Sequence, residues 1–238
     1  MSRMMRRCSV LAMAVFVLFP LMVLAQVAGP IDVGKYTAPI RVSCVGDSIT
    51  AGVGAGPGGG WPNQLKAMMG EKWDIRNFGV GGTTLMNSGD IPYQKQRAFQ
   101  AAKDFKPDVV VIMLGANDTK PRNWQHFARD YEADYRDLVK KFQELPSKPR
   151  VFVCRPSYIS QGGNWGINER NTLKEIEVVD KLAASMQLGL IDIHAALKGK
   201  DNLIPDHVHP NRQGQTEIAK AVRNALTGKV PHAAKYSD

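Results

Sequence analysis

At 238 residues, with 44% hydrophobic and 22% charged side chains, the chain is long enough for a well-cored domain. Its composition is too ordinary for a disordered, collagenous or disulfide-stapled protein. The formal net charge of +9 sits on lysines and arginines scattered along helical stretches, without a basic stripe or aromatic stacking platform, which argues against a nucleic-acid partner.

The chain begins with a segment to be set aside from the fold. Arg3, Arg6 and Arg7 form a positive start, an apolar run extends from about Cys8 to Leu24, and Val23-Leu24-Ala25 offers a cleavage site before Gln26. The run is near membrane-spanning length, so a retained anchor competes. Pro20 and the missing stop-transfer flank favour cleavage. Residues 1–25 are therefore expected to be a signal peptide, and the mature protein to be exported, periplasmic or extracellular, without stable membrane association. Ala25 before the cut and Gln26 after it give no lipoprotein site. The mature chain loses three arginines and no acids, and its net charge falls from +9 to +6. Cys44 and Cys154 remain, both in apolar runs where buried free thiols fit better than a disulfide.

Residues 26–39 form an extended lead-in. The β-branched run 41–45 predicts a strand that breaks off into Gly46-Asp47-Ser48 and a glycine-rich loop reaching Gly60. A helix over 61–69, with Pro62 tolerated in its first turn, precedes an alternating strand over 73–78 and a second glycine turn over 79–84. Residues 92–105 predict a helix packing through Ala98, Ala101, Ala102 and Phe105. Residues 108–114 are apolar on both faces, as parallel strands covered by helices are, and run into Gly115-Ala116-Asn117-Asp118. Phe127, Tyr131, Tyr135, Leu138 and Phe142 predict one amphipathic helix over 124–142. A strand over 149–154, a loop through Gly162 to Trp165, a helix over about 168–186, a strand over 188–193 and a helix over about 212–226 follow. This alternation predicts a single α/β domain over 26–238, its core about 41–226, with five parallel strands in one sheet and helices on both faces.

Four loops follow or lie near the carboxyl ends of predicted strands, which converge on one edge of a doubly wound sheet. They carry Ser48, Gly82, Asn117, and Asp206 with His209. Together these residues suit acyl transfer: a serine to attack, a histidine to take its proton, and a carboxylate to orient the imidazole. The Gly82 and Ser48 amides and the Asn117 side-chain NH₂ suit a developing oxyanion. Alone, Ser48 reads as a helix cap and Asn117-Asp118 as a turn; the set carries the chemistry. Asp47, Trp61, Asp118 and Trp165 are candidate substrate contacts near that edge. Turn-holding by the acids and packing by the tryptophans are the competing readings.

Two other patterns lead elsewhere. Gly54-Ala55-Gly56-Pro57-Gly58-Gly59 matches a dinucleotide-binding glycine pattern, but it does not turn straight from strand to helix, and it reads as a rim loop with no cofactor implied. His207 and His209 beside Asp206 suggest a metal cluster, yet no further ligand loop accompanies them, so no metal is expected.

The ordered blocks Gly46-Asp47-Ser48-Ile49, Gly82 in its glycine turn, Gly115-Ala116-Asn117-Asp118 and Asp206-His207-Val208-His209-Pro210 resemble the SGNH (GDSL-type) hydrolase family over roughly residues 41–226. The resemblance implies a flavodoxin-like three-layer α/β/α fold and a metal-free serine esterase. It gives Ser48 as nucleophile, His209 as base, Asp206 as its orienter, and Gly82, Asn117 and the Ser48 amide as the oxyanion hole. Ile49 stands where the family's usual motif has leucine. Export and similarity to the family's carbohydrate-esterase members, among them in the loop 162–166, imply short-chain, acetyl, esters on oligo- or polysaccharides. A lysophospholipase or thioesterase of the same family, a histidine-cluster metal hydrolase and a non-catalytic carbohydrate-binding protein are the alternatives.

Overall fold

The structure, a computed structural model, describes residues 29–228. The signal segment and its cleavage point lie outside the described residues. Five strands form the sheet: β1 (Ile40–Gly46), β2 (Trp73–Gly79), β3 (Val109–Met113), β4 (Arg150–Arg155) and β5 (Gly189–Asp192). All pair in parallel, in the order β2-β1-β3-β4-β5, with Val42 opposite Ile75 on one side and Val109 on the other. That order is flavodoxin-like, and its direction reverses between β1 and β3.

Side chains alternate along each strand, so the sheet feeds two separate cores. Val42, Cys44, Val111, Phe152 and Cys154 face one side, against Trp61 and Leu65 of α2 (Trp61–Met69) and Ile218, Val222 and Leu226 of α8 (Arg212–Thr227). Val45, Val110, Ile112 and Val153 face the other. There they meet Phe99 of α3 (Arg97–Asp104), Tyr135 and Phe142 of α5 (Tyr131–Gln143), and Leu182 of α6 (Glu169–Met186). Each fully buried aliphatic or aromatic side chain contributes about 1.5–3 kcal/mol, so the continuous apolar runs in the sequence lock the layer order. Asn168 caps α6 by accepting from the Asn171 amide, and Asn211 caps α8 through the Gln213 and Gly214 amides, so both long helices start where the sequence predicts. α1 (Ser48–Ala51), α4 (Pro121–Phe127) and α7 (Ile193–Leu197) are short.

The single helix expected over 124–142 is broken into α4, a 3-10 turn (Ala128–Asp130) and α5. Asn123 in α4 is buried and bonded to Asp90 and to the Asn117 carbonyl, which fixes the direction of α4 independently of the sheet-packing α5. The face of α3 also differs. It buries Phe99 and Ala102 and leaves Ala101 exposed, because the helix begins at Arg97 and turns the Phe99 ring onto Phe142, 5.6 Å away. Cys44 and Cys154 are buried free thiols on β1 and β4. With β3 between them their backbones lie about 10 Å apart, beyond the roughly 7 Å that a disulfide spans. Among the described residues no helix is long and apolar enough to cross a membrane.

Candidate active site

β1 ends at Gly46, where a Cβ would overlap the Thr50 hydroxyl and the Met113 carbonyl, so only glycine lets the chain turn this sharply. Asp47 follows as N-cap of the one-turn helix α1, its carboxylate accepting from the Ile49 amide at 2.9 Å. The cap is therefore Asp47, and Ser48 is not a cap but the first helical residue. Buried Gln215 of α8 fixes this turn, donating to the Ile49 carbonyl at 3.0 Å and accepting from the Trp61 amide at 2.9 Å. Asn77 at the end of β2 donates to the Thr50 carbonyl at 2.8 Å.

His209 reaches Ser48 from 161 residues away, with Nε2 2.9 Å from the hydroxyl oxygen. Its Nδ1 lies 2.8 Å from Asp206 Oδ2. The other Asp206 oxygen accepts from the Val208 and His209 amides at 3.0 and 2.6 Å. An ionised carboxylate can only accept, so Nδ1 carries the proton and Nε2 is left to receive one from Ser48. Burial pushes the Asp206 carboxyl up, but the two amides and the imidazole outweigh it and hold the group below the usual carboxylate range.

The opposite wall is the loop after β3. Asn117 is buried and spends one N–H on the Thr83 carbonyl at 3.1 Å, its second N–H has no partner among the described residues, and the residue lines the same cleft as Ser48. Gly82 sits there at φ +79°, a left-handed turn that presents its backbone without a side chain in the way. Asp118 accepts from the Leu85 and Met86 amides at 2.8 Å each, tying the glycine turn to the Asn117 loop. Burial raises the Asp118 carboxyl to about 7 and the Asp47 carboxyl to about 6, both against the pull of the amides they accept from. The cleft so enclosed has a volume of about 230 Å³.

Sequence reasoning brought Ser48, Gly82, Asn117, Asp206 and His209 to one edge; in the structure Ser48, Gly82, Asn117 and His209 line one cleft, and Asp206 is bonded to His209 behind it. Trp165 also lines it, exposed, with its ring 5.4 Å from that of His209. Trp61, Asp47 and Asp118 do not serve as substrate contacts. Trp61 is fully buried beneath α1, with its indole N–H on Thr50, because the inward stripe of α2 begins at that position. The two acids are buried and engaged by backbone amides. Val53, Lys120 and Ile167 line the cleft and were not singled out from sequence. Nothing local marks them; they reach the site because their loops cross it.

The glycine run 54–59 follows α1 rather than a strand, and Gly54 packs against His209 and Pro210 as part of the rim. His207 turns away from His209, its Nδ1 3.4 Å from the Ser160 hydroxyl. Among the described residues no group of three histidines, cysteines, aspartates or glutamates can hold a metal ion.

A hydrogen-bonded serine, histidine and aspartate beside unspent N–H donors, at the point where a parallel sheet reverses order, is the layout of an α/β serine hydrolase. The chain belongs to the GDSL-like lipase/acylhydrolase family, whose model matches residues 44–216. It is 34% identical to an acetylxylan esterase of Xylanibacter ruminicola over 79% of this chain, and it spans 43% of that relative's length. It is 24% identical to the spore germination lipase LipC of Bacillus licheniformis, covering 80% of this chain and 98% of that one. In fold it superposes on the crystal structure of Axe2, an acetylxylan esterase from Geobacillus stearothermophilus. The TM-score is 0.61 at 24% identity, over 79% of this chain and 94% of that one.

Proposed function

We propose that this protein is a serine esterase that removes acetyl groups from O-acetylated oligo- or polysaccharides outside the cytoplasm. The observation that carries the reading is the continuous bonding from Ser48 through His209 to Asp206, next to an unspent N–H of Asn117. His209 Nε2 takes the Ser48 proton as the hydroxyl oxygen attacks the ester carbonyl. The tetrahedral oxyanion is held by the Ser48 and Gly82 amides and the Asn117 side chain. Collapse expels the sugar alcohol with the proton from His209. Water then enters, gives its proton to the same nitrogen and releases acetate from the serine. Asp206 stays ionised throughout and steadies the imidazolium.

Acetyl is favoured by the cleft: about 230 Å³, lined by Val53 and Ile167, is small for a fatty chain. A saccharide is favoured by exposed Trp165, whose face is open beside His209, and by the name of the acetylxylan esterase relative. A lysophospholipase or thioesterase is the second reading, supported by the likeness to LipC. Ser48→Ala is expected to lower nitrophenyl acetate turnover by at least about 10⁴-fold in a folded protein. Retained turnover excludes the serine mechanism. A series of C2 to C12 nitrophenyl esters peaking at C2 supports the acetyl reading, and a peak at C8 or longer replaces it with the lipase one. Amino-terminal sequencing of the released protein is expected to begin at Gln26; a start at Met1 overturns export by cleavage.

A further inference from the structure

Lys120 is the one lysine or arginine among the residues lining the cleft. It follows the Asn117 loop by three residues and caps α4, with its side chain only 16% exposed. Its ion pair is with Asp90 and is a long one, with Oδ2 3.9 Å from Nζ and beyond hydrogen-bonding distance. Asp90 is already engaged by Arg122 on that oxygen, and by the Asn123 side chain and the Ile91 amide on the other. Asp47 and Asp118 lie within electrostatic reach, but their oxygens are taken up by the backbone amides of Ile49, Leu85 and Met86. Asp206 is spent on His209. The ammonium thus carries no hydrogen bond among the described residues, in a cleft whose walls are otherwise largely apolar: Val53, Ile167 and Trp165.

A half-buried ammonium with no hydrogen bond, and only a long ion pair on an oxygen that Arg122 already holds, is poorly compensated until another acceptor arrives. Neutral acetylated sugar offers hydroxyl and ring oxygens, which any polar residue serves. A cation held by one long, shared ion pair fits an anionic group. Building on the esterase reading, we infer that Lys120 selects substrates carrying a carboxylate close to the acetyl ester, that is, acetylated uronic-acid residues or acetylated sugars directly attached to one. The carboxylate then pairs with Nζ while the acetyl carbonyl lies between Ser48 and Asn117, and Trp165 takes a face of the sugar ring. Burial lowers the Lys120 amine from its ordinary value, and the Asp47 and Asp118 charges oppose that shift, which keeps the cation available.

The test compares acetate release from O-acetylated methyl glucuronoside (free acid) and from the equally acetylated methyl glucoside, which differ in the carboxylate alone. Wild-type protein is expected to prefer the uronoside about tenfold in kcat/KM, mainly through KM, as suits one charged hydrogen bond. Added salt should shrink that preference. Lys120→Met should bring the ratio close to one, and Lys120→Arg should retain most of it. A wild-type ratio near one overturns the inference while leaving the esterase reading intact. A Lys120→Met protein that loses kcat equally on both substrates also overturns it, since Lys120 would then act on the oxyanion rather than on the substrate's charge. No acetate from either substrate, with nitrophenyl acetate also untouched, removes the esterase reading and this inference with it.

Discussion

At the amino ends of the strands a hollow of about 760 Å³ opens between Tyr36, Lys66, Trp73 and Asp108, more than three times the volume of the cleft of about 230 Å³ at the carboxyl ends. In the larger hollow the most heavily bonded charged groups, Arg41 and Asp108, satisfy each other. Arg41 donates twice from its guanidinium to Asp108 at 3.1 Å, and its backbone amide donates to the same carboxylate at 2.9 Å. This fork staples the start of β1 to the residue before β3 and engages both oxygens of the carboxylate. In the smaller cleft donors are left unspent, the second N–H of Asn117 and the three of Lys120, beside a serine hydroxyl already hydrogen-bonded to its base. Volume marks where the surface dips. Unspent, converging polarity marks where chemistry is prepared, because keeping such groups unpaired costs stability that only a ligand or a transition state returns.

The sharpest way to break this contrast after the nucleophile itself is Asn117→Ala. Loss of one oxyanion donor is expected to lower kcat about 10²- to 10³-fold with little change in KM, measured on nitrophenyl acetate. A drop of less than fivefold would mean that the free N–H does not face the reacting carbonyl. Trp165→Ala comes next. Losing one aromatic face should raise KM for an acetylated xylo-oligosaccharide about three- to tenfold, and more than it raises KM for nitrophenyl acetate. Equal changes on both would make the indole a support for His209 rather than a sugar platform. Arg41→Ala, at the other end of the sheet, has the smallest expected effect. With a third of its side chain exposed, the pair should contribute no more than about 1 kcal/mol to stability by denaturant titration. Its kcat should match wild type; a catalytic loss there would erase the distinction between the two ends.

Most of the scaffold was legible in the residues themselves. β3 declares itself through five consecutive buried apolar side chains, and α2 begins at Trp61 and ends at Met69 as its sequence predicts. The amphipathic pattern misled where a second interaction competed. Phe127 and Tyr131 are spaced for one helix, yet Asn123 binds Asp90 from 33 residues away and pulls α4 out of line with α5. The same holds for the tryptophans. Trp61 and Trp165 read alike in sequence, flanked by glycines near the same edge. One is entombed under α1, and the other stands exposed over His209.

The sequence by itself determined the alternation of strands and helices and the parallel sheet, and it brought Ser48, Gly82, Asn117 and His209 to the edge where they line one cleft, because periodic burial and glycine-bounded strand ends are local properties that survive without coordinates. Only the tertiary structure decided which of Asp47 and Ser48 caps and which faces the cleft. The same is true of Asp118, which ties two loops together rather than meeting a substrate, and of Lys120, which lines the cleft with no hydrogen bond on its ammonium. Those outcomes depend on distances between segments up to 161 residues apart, and on which partner each polar group has already spent itself upon.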